Sequence, residues 1–170
     1  MSKTDPLVKP EPPDFRPMDE TAARAILTWR YEAPYDVYSL DAGDPDEEMR
    51  CFLDPANAYH TIVDRGGFLA AYCCFGPDAQ VPGGDYGTPA LDIGLGLHPD
   101  LTGQGLGYAF VQAVLRFARV KFAPAVFRVT VAEFNERALR VWKMAQFQPV
   151  QRFERMPDGM PFVVLARKSD

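Results

Sequence analysis

Cysteine is scarce in this chain of 170 residues: there are three, Cys51, Cys73 and Cys74. They cannot all pair, and the adjacent Cys73 and Cys74 read as small apolar strand residues. A disulfide-stapled secreted domain is excluded, and a reducing, cytoplasmic setting is expected. Histidine is scarcer still. His60 and His98 stand far apart with no cysteine or carboxylate at ligand spacing, so no metal is expected. Positive charge is in deficit: 18 Lys and Arg against 23 Asp and Glu give a net charge of -5, which provides no field to gather DNA or RNA. Long apolar runs are missing too. The longest, `FLAAYCCF` from Phe68 to Phe75, falls well short of the roughly 18 residues that span a bilayer, so neither nucleic acid nor a membrane is an expected partner.

What is present suits one ordinary globular domain: 47% hydrophobic and 24% charged residues, with enough chain to bury a core unaided. The opening `MSKTDPLVKPEPPDF` carries charge and proline where a secretion signal needs an apolar core. It reads as a flexible lead-in over 1–14, ahead of a single domain over 15–170.

Within that domain, Asp19 is placed to cap a helix with Ala22, Ala25, Ile26 and Trp29 on one face, stopped or bent by Pro34. The acidic, turn-rich stretch 41–58 leaves room for one further short helix. Tyr59 to Val63 and Phe68 to Phe75, joined by `DRGG`, predict a hairpin. In `ALDIGLGL`, Leu91, Ile93, Leu95 and Leu97 alternate with Asp92, Gly94 and Gly96, so one strand face is apolar and the other nearly bare. Beyond Gly105 the period changes. Leu106, Phe110, Ala113, Val114 and Phe117 form the stripe of a helix ending near Lys121. A strand over 125–131, a helix capped by Asn135 and a terminal hairpin turning at `PDG` complete the order. The strands on either side of the glycine-led helix should be parallel, joined by a right-handed crossover.

The turn `LTGQGLG` joins a strand to a helix, and this exposes unpaired N–H groups at the positive end of the helix dipole, a natural seat for an anion. An NTPase phosphate loop needs Gly-Lys-Ser/Thr, but Tyr108 and Ala109 follow Gly107. A dinucleotide fingerprint needs glycine at 108. Neither fits. Leu97, Pro99, Gly105 and Gly107 do fit a strand ending in a hydrophobic-x-Pro step followed by a Gly-x-Gly turn. Asn135, Ala138 and Phe147 fit a second signature, Asn-x-x-Ala closed by a Gly-Phe pair.

With both signatures at compatible spacing, residues 90–153 resemble the GNAT superfamily of N-acetyltransferases. The resemblance implies an α+β fold with a mixed, mostly antiparallel central sheet flanked by helices. It also implies an enzyme that moves an acetyl group from acetyl-CoA, or another acyl-CoA, to a primary amine of a small molecule or a protein N-terminus. The coenzyme diphosphate is then expected on Thr102, Gly103, Gln104, Gly105, Leu106 and Gly107. The pantetheine arm would run along the strand at Leu95 and Leu97, with room left by its glycine face, and Asn135 would be a further contact. A homodimer is an allowed assembly.

The chain departs from the pattern at Thr102, where the family has Arg or Gln, at Gln146 in place of Gly, and at Trp142. Many members carry at that last position a tyrosine that protonates the departing thiolate. A non-catalytic acyl-CoA-binding sensor or assembly domain therefore stands as the alternative, and glycines that serve only turns as a third.

Acyl transfer needs a neutral amine and so a proton acceptor. Asp92, on the bare strand face, is the first candidate base, its alternative being a carboxylate tied to a loop or an ion pair. Glu133 is the second. Tyr31, Tyr35 and Asp36, in a segment of aromatics and carboxylates, suit a cationic acceptor. Of the cations on the two flanking helices, Arg116, Arg119, Arg137, Arg140 and Lys143, one or two are candidates for the adenosine phosphate.

Overall fold

The structure, a computed structural model, describes residues 12–170. The lead-in expected over 1–14 lies, but for its last three residues, outside the described part. Seven strands form one sheet in the order β1-β2-β3-β4-β5-β7-β6. They are β1 (Asp14–Pro17), β2 (His60–Val63), β3 (Leu69–Phe75), β4 (Leu91–Leu97), β5 (Val126–Ala132), β6 (Gln148–Glu154) and β7 (Pro161–Lys168). Four helices accompany them: α1 (Glu20–Leu27), α2 (Pro45–Leu53), α3 (Gly107–Phe122) and α4 (Glu136–Met144). Every strand pair is antiparallel except β4 with β5, which α3 connects in parallel as the sequence predicts. Both expected hairpins are present.

Local chemistry sets the helix starts. Asp19 accepts the Ala22 amide at 2.8 Å, and Asn135 accepts that of Ala138 at 3.1 Å. The acidic stretch holds α2, started by Asp44 with Pro45 in its first turn and anchored by buried Phe52. Strand β1 has no sequence signal of its own: three exposed residues and the half-buried Phe15 gain order by pairing with β2, all of whose residues are buried.

The alternation of β4 sorts the core. Ile93 is buried, and Leu91, Leu95 and Leu97 pack beside it, against Val111, Val114, Leu115 and Ala118 of α3 and Trp142 of α4. On the opposite face, Ala23 and Ile26 of α1, Trp29 and Phe52 form a smaller cluster, with Tyr59 and Tyr72 against it. A third cluster, Ala132, Phe153, Phe162 and Val164, lies on the β5-β7-β6 half, under Tyr38 and Phe134. Among the described residues no helix is long and apolar enough to cross a membrane.

Candidate active site

The glycine turn occupies the position its sequence implies, at the C-terminal end of β4 and the N-terminus of α3. No side chain caps this helix, whose N-cap residue is Leu106. Residues 103 to 106 are exposed. Gly103 and Gly105 have φ of +71° and +75°, a region closed to most side chains. Gly107 is needed for another reason: a Cβ there would lie 3.3 Å from Val141 Cγ2, where α4 packs on α3. The amides that open α3 thus face solvent, an arrangement that fits a diphosphate.

The side chains expected to help are occupied. Thr102 Oγ1 donates to the Pro99 carbonyl at 2.7 Å, so its hydroxyl hydrogen is not offered to a phosphate. Gln104 Nε2 donates to the Asp100 carbonyl. A cation arrives from the second signature instead. The Arg137 guanidinium stacks on the Tyr35 ring, 3.9 Å from its centroid, and Nη1 lies 3.0 Å from where a Cβ of Gly103 would project. It supplies at the turn the positive charge that Thr102 does not.

Beside the turn, β4 and β5 part. They pair at Leu91–Phe127, Asp92–Arg128 and Ile93–Val129, and the ladder stops there although both strands continue. Residues 94–97, including Leu95 and Leu97, therefore present one backbone edge to the gap, while β5 from Thr130 to Ala132 stays paired only with β7. An extended acyl arm can pair with such an edge.

The bare face of β4 is already covered, contrary to the expectation that its glycines leave room for pantetheine. The ring of Tyr72 and the thiol of Cys74, both from β3, lie over it. A Cβ on Gly96 would sit 2.5 Å from Tyr72 Cε1, and one on Gly94 would sit 2.6 Å from Cys74 Sγ. Space for an arm is at the strand edge.

The segment 31–38 straddles the gap. Tyr31 Oη donates to the Leu97 carbonyl at 2.6 Å, and burial pushes its phenol up to about 12. Seven residues on, the Tyr38 hydroxyl accepts from Asn135 Nδ2 at 3.1 Å. Tyr35 and Tyr38 both pack against Phe134, and Asp36 is exposed. Asn135, expected at the cofactor, has both polar atoms of its side chain engaged, by the α4 cap and by Tyr38.

Asp92 differs most from expectation. It is buried at the closed end of the strand pair, where Arg128 Nε and Nη2 donate to its two oxygens at 2.6 and 2.8 Å, and Gln80 Nε2 donates at 2.9 Å. A fourth bond, from Arg128 Nη1 to the Thr88 carbonyl at 2.7 Å, completes the network. The alternative reading of Asp92 as an ion-paired structural carboxylate is the one this geometry fits. Glu133 pairs with Arg152 at 2.9 Å. Glu48 of α2, which the sequence did not single out, has its carboxyl raised above the usual range by burial and by Asp78 and Glu47. Trp142 is buried edge-on to Phe147 and belongs to the core.

Residues 22–147 match the family model described as the acetyltransferase (GNAT) family. The chain belongs to that family. By family it is an acyl-CoA-dependent N-acyltransferase, and its sheet and helices are those of the GNAT fold. The fold is shared with a spermidine N-acetyltransferase chimera of Vibrio cholerae SpeG and hSSAT at a TM-score of 0.74 and 14% identity, covering 94% of this chain and 96% of that one. It is also shared with a putative phosphinothricin N-acetyltransferase, at 0.69 and 16%, covering 93% and 99%. An aminoglycoside N(6')-acetyltransferase from Legionella pneumophila gives 0.68 and 19%, covering 96% and 95%. No curated protein matches the sequence.

Proposed function

We propose that this GNAT protein transfers an acetyl group from acetyl-CoA to a primary amine of a small molecule or a protein N-terminus. The observation that carries the reading is the interrupted β4–β5 ladder ending beside an uncapped helix start: one edge for an extended arm, one seat for a diphosphate. Family membership and the likeness to polyamine and aminoglycoside acetyltransferases support it.

The coenzyme, when bound, supplies an activated thioester. Gly103 to Gly107 and Arg137 would hold its diphosphate, and the edge at Leu95 to Leu97 its arm. Tyr31, Tyr35 and Asp36 border the acceptor side. The proton of the incoming ammonium would leave through water. Asp92 instead fixes the closed end of the gap through Arg128.

Thermal shift with acetyl-CoA, dephospho-CoA and NAD tests the cradle, and stabilisation by NAD alone would reject it. Thiol release from acetyl-CoA is then followed over spermidine, kanamycin, phosphinothricin and a free-N-terminal peptide. The second reading, an acyl-CoA-binding sensor, is favoured by Trp142 in place of a tyrosine. It predicts binding without turnover on every amine.

A further inference from the structure

The α4 position that carries a tyrosine in many family members is the buried Trp142 here, so the chain needs another donor for a departing sulfur. The chain has seven tyrosines, and most have their hydroxyls committed. Tyr31 donates to Leu97, Tyr38 accepts from Asn135, Tyr59 donates to Asp78, and Tyr86 bonds the Val81 amide and Thr130 Oγ1. The hydroxyls of Tyr35 and Tyr108 have no hydrogen-bond partner among the described residues, but Tyr35 lies under Arg137 and Tyr108 is exposed at the start of α3.

Tyr72 is different. It stands on β3 directly opposite Gly96 of β4, and the far end of its ring lies across that strand. The hydroxyl oxygen is 2.8 Å from where a Cβ of Gly96 would be. Gly96 belongs to the half of β4 that β5 leaves unpaired. Trp29, Phe52 and Tyr59 bracket the ring at centroid distances of 5.7, 5.8 and 6.2 Å. The hydroxyl itself has no hydrogen-bond partner among the described residues. A phenol lies over a glycine of the strand that borders the gap, packed among aromatics, with its hydroxyl bonded to nothing among the described residues.

We propose that Tyr72 is the hydrogen-bond donor to the sulfur that leaves when an amine attacks the acyl thioester, an assignment that rests on the acyltransfer reading above. The amine nitrogen bonds to the carbonyl carbon, and the carbon–sulfur bond breaks with its electron pair on sulfur. The Tyr72 hydroxyl keeps its proton and hydrogen-bonds that sulfur, stabilising the charge it takes on. The proton that the nitrogen sheds reaches the sulfur through water, so amide and free thiol form and Tyr72 is unchanged. Burial raises the Tyr72 phenol well above its ordinary value, as do Tyr31 and Cys74 nearby. It therefore stays protonated and acts as a donor, not as a base.

Tyr72→Phe keeps the ring and removes the donor. With acetyl-CoA and whichever of the four amines the wild type turns over, kcat should fall at least about tenfold, with KM for acetyl-CoA within about twofold. A binding measurement independent of turnover uses isothermal titration with coenzyme A and desulfo-coenzyme A at alkaline pH. Wild type should favour the thiol form several-fold, and Tyr72→Phe should bind both alike. Gly96→Ala, whose methyl group would collide with the ring, should reproduce both effects. An unchanged kcat in Tyr72→Phe, or a thiol preference that survives in it, would overturn the assignment while leaving acyltransfer intact. A wild type that neither binds acetyl-CoA nor releases thiol would overturn acyltransfer, and this inference with it.

Discussion

The Arg137 guanidinium lies over the Tyr35 ring, 3.9 Å from its centroid, and its Nη1 stands 3.0 Å from where a Cβ of Gly103 would project. A single residue thereby joins the segment on the acceptor side to the turn that would seat a diphosphate. Planar stacking fixes the fork of donors in a way that a lysine cannot reproduce. Arg137→Ala should weaken acetyl-CoA binding about tenfold, roughly the worth of one charge-assisted hydrogen bond. Arg137→Lys should recover only part of it, with kcat near the wild-type value in both. Titration calorimetry at two salt concentrations checks this, and an unaltered dissociation constant would remove Arg137 from the cradle.

Gly105 and Gly107 are both glycines of the turn, yet alanine should act on them differently. Around Gly105 there is open space, but φ is +75°, so Gly105→Ala should cost about 1–2 kcal/mol in backbone strain alone. Gly105→Asn should cost less, because asparagine tolerates the left-handed region. At Gly107 the backbone is ordinary and the penalty comes from crowding Val141. A second substitution, Val141→Ala, should relieve Gly107→Ala and leave Gly105→Ala unaffected. Urea unfolding of the single and double variants separates the two causes.

Asp92 is a carboxylate whose removal leaves a charge behind. Arg128 is buried with it and has no other acidic partner within bonding reach among the described residues. Asp92→Ala should therefore destabilise the fold by about 3–5 kcal/mol. The double variant Asp92→Leu, Arg128→Met should lose less than Asp92→Ala alone, since it strands no charge. A folded Asp92→Asn protein of wild-type stability with turnover lost would instead restore Asp92 as the base.

Much of this was legible in the sequence, for reasons visible in particular residues. The period change at Gly105, the Asn135 cap and the hairpins rest on local chemistry, and the structure has them where the sequence implies. Two glycines of β4 were legible as a bare face but not in purpose, because Tyr72 and Cys74 meet them only through the β3–β4 register. The pairing of Asp92 with Arg128 depends on the parallel strand register, which no local pattern encodes. Arg137 was one of five helix cations, and only its tertiary place between the Tyr35 ring and Gly103 distinguishes it. Glu48 sat in an acidic run whose usual reading is a solvated face.

His60 gives a pH signature of stability that is independent of catalysis. It is 6% exposed, with Nδ1 2.8 Å from the Ala58 carbonyl and the ring edge-on to Phe117 at 4.9 Å. Burial lowers its pKa, opposed by the Ala58 carbonyl and aided by the positive charge of Lys121. An unfolded histidine titrates near about 6.5. Below that pH the unfolded chain takes up a proton that the folded chain still refuses, so protonation favours unfolding. Stability contributed by neutral His60 is thus complete above about 6.5 and is lost as pH falls toward the lowered folded value. Melting temperatures between pH 7.5 and 5.5 should fall more steeply for wild type than for His60→Phe, which keeps the packing against Phe117 and removes the titration. Parallel curves would mean that the folded protein accepts the proton at no cost, and that burial of His60 does not govern its charge.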